Sequence, residues 1–308
     1  MPTRDLHDEL DDFLTSLEAG RMSYNTQTAY RAAVSSFIER LGIDATPKDI
    51  KRQAVREWLA AFHQRQCEPS TIRVRLVALK EFAKFLESEG CGTFDWLFAM
   101  RAPKMRHKLP DVPSQQQVRA LLDGSFRNGQ QPRTVSPFPE RDRAIWELLY
   151  CGLRAQETVN VNVEDFRENC RVLLVHGKGD KERLVPLSME AIKAVRSYLP
   201  IRERQLKQLG ATTPAFAFSI GPRSSTAGRL CVRHVWRIVH DTAKVKGLEG
   251  FHPHLLRHAC GTHLHERGVQ LQDIADLLGH SKLGTAAIYT QTALGQRLLK
   301  AYRKAFAD

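Results

Sequence analysis

A chain of 308 residues that is 42% hydrophobic holds ample material for a buried core and is long for one domain, so two are expected. Its formal net charge of +12 calls for a polyanionic partner, and nucleic acid is a commoner one than a ribosomal or membrane surface. The first residues are acidic where a signal peptide needs positive charge, and no apolar run approaches the roughly twenty residues of a membrane span. The six cysteines form no C-x-x-C pair and read as reduced thiols, so a cytoplasmic protein without a membrane partner is expected.

Residues 5–19 predict an amphipathic helix, with Leu6, Leu10, Phe13, Leu14 and Leu17 on one face. The other face carries Asp5, Asp8, Glu9, Asp11, Asp12 and Glu18, which repel DNA and point to solvent or a partner subunit. Three more helical patterns follow: Thr26 to Leu41, closed by Gly42; Pro47 to Gln64, opened by Thr46; and Ser70 to Glu89, capped by Ser70 and stopped by Gly90. The last of these buries Ile72, Leu76, Leu79, Phe82 and Leu86 and presents Arg73, Arg75, Lys80 and Lys84, either to phosphates or as an ordinary solvated face.

Residues 1–100 thus read as a helical domain with one basic helix. Residues 101–111 read as a linker, because Arg101, Lys104, Arg106 and Lys108 alternate with prolines in an extended stretch suited to lying across phosphates.

A second domain, 112–308, opens with Pro113-Ser114 as a helix start and Val118, Leu121 and Leu122 as the apolar face. Residues 124–139 have no periodicity and read as a loop without assigned chemistry. A helix over 140–150 leads to Cys151-Gly-Leu-Arg154, where an arginine after a glycine break either aims at an anion or pairs with Glu157. Residues 171–187 carry a β-hairpin signal around a Gly/Asp/Lys tip, with Lys178 between two glycines. Helices are expected over 188–208 and 230–246 and a short strand over 215–219. The 230–246 helix turns Val232, Val235, Trp236 and Val239 inward and Arg229, Arg233, Arg237 and Lys244 outward.

The chemistry concentrates between Phe251 and Thr290, in F-H-P-H-L-L-R-H, then L-L-G-H-S, then A-A-I-Y-T, which supply His254, Arg257, His280 and Tyr289. Phosphodiester exchange needs a nucleophile, cations on the non-bridging oxygens and groups that move protons, and Tyr, Arg and His supply these roles. The histidines and Cys260 between 252 and 265 lack zinc-ligand spacing, so no metal and no other cofactor is expected.

H-x-L-R-H, L-G-H-S and I-Y-T in this order resemble the tyrosine site-specific recombinases of the phage-integrase family, most of all its bacterial Xer branch. The resemblance spans nearly the whole chain. It implies a mainly α fold with a small antiparallel β-sheet: a helical core-binding domain and an α+β catalytic domain that close on DNA as a C-shaped clamp. Arg154 and Arg257 match the family's arginines, Lys178 its hairpin lysine, His254 and His280 its histidine positions and Tyr289 its nucleophile. Arg73, Arg75, Lys80, Lys104, Arg106 and Arg233 are the expected DNA contacts.

The activity so implied is cutting and rejoining of double-stranded DNA through a 3′-phosphotyrosyl link and a Holliday junction, without metal or ATP. The expected duty is Xer-like resolution of chromosome or plasmid dimers, in a homotetramer or with a second recombinase, and with a septal DNA translocase as a further partner. Integration or resolution of a phage or mobile element is the alternative; a type IB topoisomerase, a silent DNA-binding regulator and a metal-dependent nuclease fit less well. Residues 293–308 predict a helix striped by Leu294, Leu298, Tyr302 and Phe306, which docks on its own domain or, as the resemblance implies, on a neighbouring subunit.

Overall fold

Leu6, Leu10, Phe13 and Leu14 are all buried along α1 (Leu6–Ala19), whose first turn is capped by the Asp5 carboxylate accepting from the His7 and Asp8 amides. The computed structural model to which this helix belongs describes residues 5–104, 112–122, 138–177, 181–208, 217–218, 228–248 and 250–279. Glu9, expected on the acidic outer face, is instead only 3% exposed and accepts a contact from Cys91 Sγ at 3.8 Å. Helical spacing explains the correction: residue 9 lies three beyond Leu6 and four before Phe13, inside the apolar stripe.

Helix α2 (Tyr24–Leu41) starts two residues before the expected Thr26, because the Ser23 hydroxyl accepts the Thr26 amide; it ends as expected at Gly42, whose φ is +116°. The single helix expected over 47–64 is broken. The Asp49 carboxylate accepts from both the amide and the hydroxyl of Thr46 around a 3₁₀ turn (Pro47–Asp49), Ile50 turns inward, and α3 (Arg52–Gln64) begins afresh. Helix α4 (Pro69–Ser88) begins with Glu68 at its cap and Pro69 as its first residue, not with Ser70 as the cap, since the fixed φ of proline suits the first helical position. Phe13 packs on Phe82 and Phe37 on Trp58, with ring centroids 5.4 and 5.2 Å apart, and a short α5 (Asp95–Phe98) follows.

The chain divides into two compact units, Met1–Leu109 and Pro110–Asp308. The second begins at α6 (Gln115–Leu122), where Ser114 and Gln117 exchange hydrogen bonds between amide and side chain. Helix α7 (Pro139–Tyr150) is followed by α8 (Ala155–Asn160) and by an antiparallel sheet in the order β1 (Phe166–Arg167), β2 (Val172–His176), β3 (Glu182–Pro186). The expected hairpin is β2–β3, with Val172 opposite Pro186 and His176 opposite Glu182. Strand β1 is too short to leave a periodic trace in sequence. The strand expected over 215–219 lies largely outside the described residues; of its two described residues, the Ala217 amide donates to the Val161 carbonyl and the Phe218 carbonyl accepts from the Leu230 amide.

Four helices follow among the described residues: α9 (Met189–Gln208), α10 (Val232–Val245), α11 (Pro253–Glu266) and α12 (Leu271–Leu278). Helix α11 runs through the core and buries Leu256, Ala259, Cys260 and Leu264 against α7 and α12. His263 anchors it. Its Nε2 donates to the Pro113 carbonyl at 3.0 Å, so its Nδ1 accepts from the Tyr150 hydroxyl at 2.8 Å, and burial holds this imidazole below its ordinary pKa and neutral. On α10, Val235, Val239 and Ala243 face inward as the pattern required, whereas Trp236, expected inward, is 41% exposed. Its ring lies flat on His252 at 5.5 Å instead.

Candidate active site

The site is built from the end of α7 outward. Gly152 holds a φ of +97°, and a Cβ there would stand 2.8 Å from Leu278 Cδ2, so only glycine lets α12 press this close. Two residues later Arg154 occupies the N-cap of α8, and Glu157 reaches back to its amide at 2.8 Å. The same carboxylate accepts Arg154 Nη1 at 2.7 Å. Sequence left Arg154 open between an anion site and a partner for Glu157; the structure shows the pairing, with the arginine side chain still 38% exposed.

Two further arginines converge on Glu157. Arg183 of β3 donates to both carboxylate oxygens at 3.0 and 2.8 Å, and Arg257 of α11 lies 3.8 Å away. Burial pushes the Glu157 carboxyl up, but hydrogen bonds and charge from Arg183 and Arg154 outweigh it and hold the group at about 2. Burial, reinforced by Arg154, pushes Arg257 down to about 10, which leaves it charged at neutral pH.

The three guanidinium groups also close the end of α12. Arg183 Nε donates to the Leu277 carbonyl at 2.8 Å, Arg257 donates to the Leu278 and Gly152 carbonyls, and Arg154 Nη2 donates to the Gly279 carbonyl at 3.2 Å. These carbonyls are among the orphan acceptors of a helix C-terminus, where partial negative charge attracts cations. Three cations against one carboxylate leave an excess of positive charge facing the exposed edge of Arg154. Such a centre takes an anion with several oxygens.

His254 stands in the first turn of α11, exposed, with its ring edge-on to Trp236 and to His252 at 6.4 Å each. Burial, then His252, Arg257, His258 and Arg154, hold its pKa below the ordinary histidine value, so the imidazole is neutral and free to accept a proton.

The structure therefore brings Arg154, Arg257 and His254 together. Lys178, His280, Tyr289 and the 293–308 helix lie outside the described residues, although Gly177 and Gly279, the residues before Lys178 and His280, are both described. Of the expected DNA contacts, Arg73, Lys104 and Arg233 are exposed. Arg75 lies over the Phe62 ring at 4.1 Å, and Lys80 donates to the Phe98 and Met100 carbonyls at 2.9 and 2.7 Å. Arg106 is outside the described residues.

Arg183 is the residue that sequence reading missed. The signal was present: it shares a strand face with buried Val185 and pairs across the hairpin with buried Val175, and a cation on an apolar face requires a buried carboxylate.

The mainly helical fold with a small three-stranded antiparallel sheet is shared with DNA recombinases of known structure. The phage integrase family model matches residues 114–295, and the model of the phage integrase N-terminal SAM-like domain matches residues 10–90. The chain belongs to the phage integrase family and is a tyrosine recombinase.

Curated relatives include the tyrosine recombinase XerC of Corynebacterium glutamicum, 32% identical over 97% of this chain and 92% of that protein. The tyrosine recombinase XerD of Mycobacterium tuberculosis is 31% identical, over 92% of each. Among solved structures, a lambda integrase tetramer bound to a Holliday junction shares the fold with a TM-score of 0.66 at 19% identity, covering 95% of this chain and 78% of that one. XerH bound to its difH substrate before cleavage gives a TM-score of 0.66 at 18% identity, covering 96% and 83%. No helix among the described residues is long and apolar enough to cross a membrane.

Proposed function

We propose that this recombinase cuts and rejoins a specific double-stranded DNA site through a 3′-phosphotyrosyl intermediate and a Holliday junction, in the service of Xer-like dimer resolution. The observation that supports it is the excess of positive charge around Glu157, with a neutral His254 beside it.

Tyr289 Oη attacks the scissile phosphorus and gives its proton to His254, while the bond from phosphorus to the 5′ oxygen breaks. Lys178 hands a proton to that oxygen. Arg154 and Arg257, with a hydrogen bond from His280, stabilise charge on the non-bridging oxygens. A 5′ hydroxyl from the partner duplex then attacks the phosphotyrosine and the same groups run in reverse. Because the ester conserves the bond, the exchange requires neither ATP nor a metal ion. Of the four tyrosines described, Tyr24 and Tyr30 belong to the first unit, and Tyr150 and Tyr198 are committed to the core by His263 and by stacking on Phe218.

Assembly follows the same reading. The recombinase acts as a tetramer on paired sites, alone or with a second recombinase, in the cytoplasm, with the 293–308 helix docked on a neighbouring subunit and a septal DNA translocase as a further partner. Dimer resolution is preferred to phage or mobile-element integration because the XerC and XerD relatives match over at least 92% of this chain.

The test uses the duplex that the protein enriches from a randomised pool, nicked at successive positions so that cleavage traps a covalent adduct. Wild type is expected to form the adduct in chelator and to excise DNA between two direct copies of that site. Tyr289→Phe is expected to bind equally and form none. An adduct from Tyr289→Phe, or loss of wild-type cleavage in chelator, would overturn the mechanism; relaxation of supercoiled plasmid without site preference would favour a type IB topoisomerase.

A further inference from the structure

We infer that Arg183 is a positioning residue of the recombinase site, one that clamps the β2–β3 hairpin and the end of α12 onto Glu157 and so fixes Gly177 and Gly279, the residues that precede Lys178 and His280 in sequence. The inference rests on the catalytic reading above and concerns a residue outside the matched motif positions.

The geometry is specific. Arg183 leaves β3 with its side chain 13% exposed and uses all three guanidinium nitrogens: Nη1 and Nη2 on the two oxygens of Glu157 at 3.0 and 2.8 Å, and Nε on the Leu277 carbonyl at 2.8 Å. A planar fork satisfied on both edges leaves no rotational freedom, which lysine cannot reproduce. One side chain thereby joins a strand, the N-terminal turn of α8 and the last turn of α12.

The flanking glycines show how tightly the clamp is enclosed. A Cβ at Gly279 would lie 3.3 Å from both Cδ and Nη1 of Arg183, and one at Gly177 would lie 4.0 Å from Nη1. Gly177 immediately precedes Lys178, and Gly279 immediately precedes His280. Gly279 also holds a φ of +62°, so side-chain volume and backbone conformation both select glycine there. The guanidinium thus packs against the residues that immediately precede the proposed proton donor, Lys178, and the proposed phosphate ligand, His280.

Arg183 also commits the Glu157 carboxylate. With both oxygens engaged by Arg183, Glu157 holds Arg154 by a single nitrogen instead of a fork, and Arg154 keeps its exposed edge for phosphate.

The experiment compares two versions of the enriched duplex, one with oxygen and one with sulfur at the scissile 5′ bridging position, in single-turnover cleavage. Sulfur departs without a proton, so it relieves a misplaced Lys178 and nothing else. Arg183→Met is expected to lose about 10²-fold in rate on oxygen, the scale of a displacement of about 1 Å, while binding the duplex like wild type. On sulfur it is expected to recover about tenfold of that loss. Arg183→Lys, which keeps the charge without the fork, is expected to fall between Met and wild type and to share the recovery.

Wild-type cleavage of the oxygen substrate by Arg183→Met, or equal loss on oxygen and sulfur, as a lower folded fraction alone produces, overturns the inference. Where Arg183→Met does not fold, Arg183→Lys carries the same comparison, and equal loss on both substrates is again decisive against it. Lys178→Ala serves as the control on the reading beneath: no sulfur recovery there, or no adduct from wild type, overturns the catalytic roles themselves, whereas recovery there without recovery in the Arg183 variants overturns the clamp alone.

Discussion

Arg183 meets Glu157 through both carboxylate oxygens, at 3.0 and 2.8 Å, in a pocket where the glutamate is only 6% exposed. The pair lies between strand, helix start and helix end, so its removal is felt in folding as well as in chemistry. Glu157→Ala leaves Arg183 and Arg257 without their carboxylate, and breaking a buried pair from one side costs about 3–5 kcal/mol. Urea unfolding of the variant should show a loss in that range. A loss under about 1 kcal/mol would mean that water, not Glu157, balances the arginines.

Acid should reveal the same pair. The Glu157 carboxyl sits at about 2 in the folded chain against an ordinary 4.5, so the unfolded state binds the proton more readily. Its contribution to stability is therefore fully present above pH 4.5 and is lost as pH falls toward about 2. The stability gap between wild type and Glu157→Gln, followed by unfolding at a series of pH values, should be constant above pH 4.5 and narrow below it. A gap that widens on acidification would contradict the depressed pKa.

His254 is held below 6.5 by burial and by its cationic neighbours. NMR titration of its imidazole in the DNA-free protein should give a midpoint under 6.5, and binding the enriched duplex should raise that midpoint, because phosphate favours the protonated ring. A DNA-free midpoint at or above 6.5 would contradict the lowered pKa and the desolvation and cationic neighbours argued to cause it.

Arg154 and Arg257 should separate in their losses although both are assigned to phosphate. Each alanine variant is expected to lose about 2.7–4 kcal/mol of transition-state stabilisation, read as single-turnover cleavage, by analogy with removal of one preorganised donor. Arg154 is 38% exposed and should cost little folding stability, whereas Arg257 is 6% exposed and bonded to the Gly152 and Leu278 carbonyls, so its removal should lower the thermal midpoint as well. Equal thermal midpoints for the two variants would show that Arg257 does not hold α11 to α12.

Sequence by itself determined the family and most helices, because these depend on order and spacing along the chain: H-x-L-R-H, L-G-H-S and I-Y-T survive without any knowledge of contacts. Periodicity was equally sufficient for the buried face of α4. Local chemistry decided boundaries that periodicity blurred, as where Thr46 and Asp49 close a cap inside what reads as one helix.

Only the tertiary structure decided which charges meet. Glu157, Arg183, Arg257 and the Leu277 carbonyl are separated by up to 120 residues in sequence, and no short-range pattern encodes their convergence. Trp236 leaving the core to lie on His252 has the same origin. A side chain's fate at the edge of a helical stripe depends on what the neighbouring element offers it. That offer is made by packing, after the chain has folded, and not by the residues beside it in sequence.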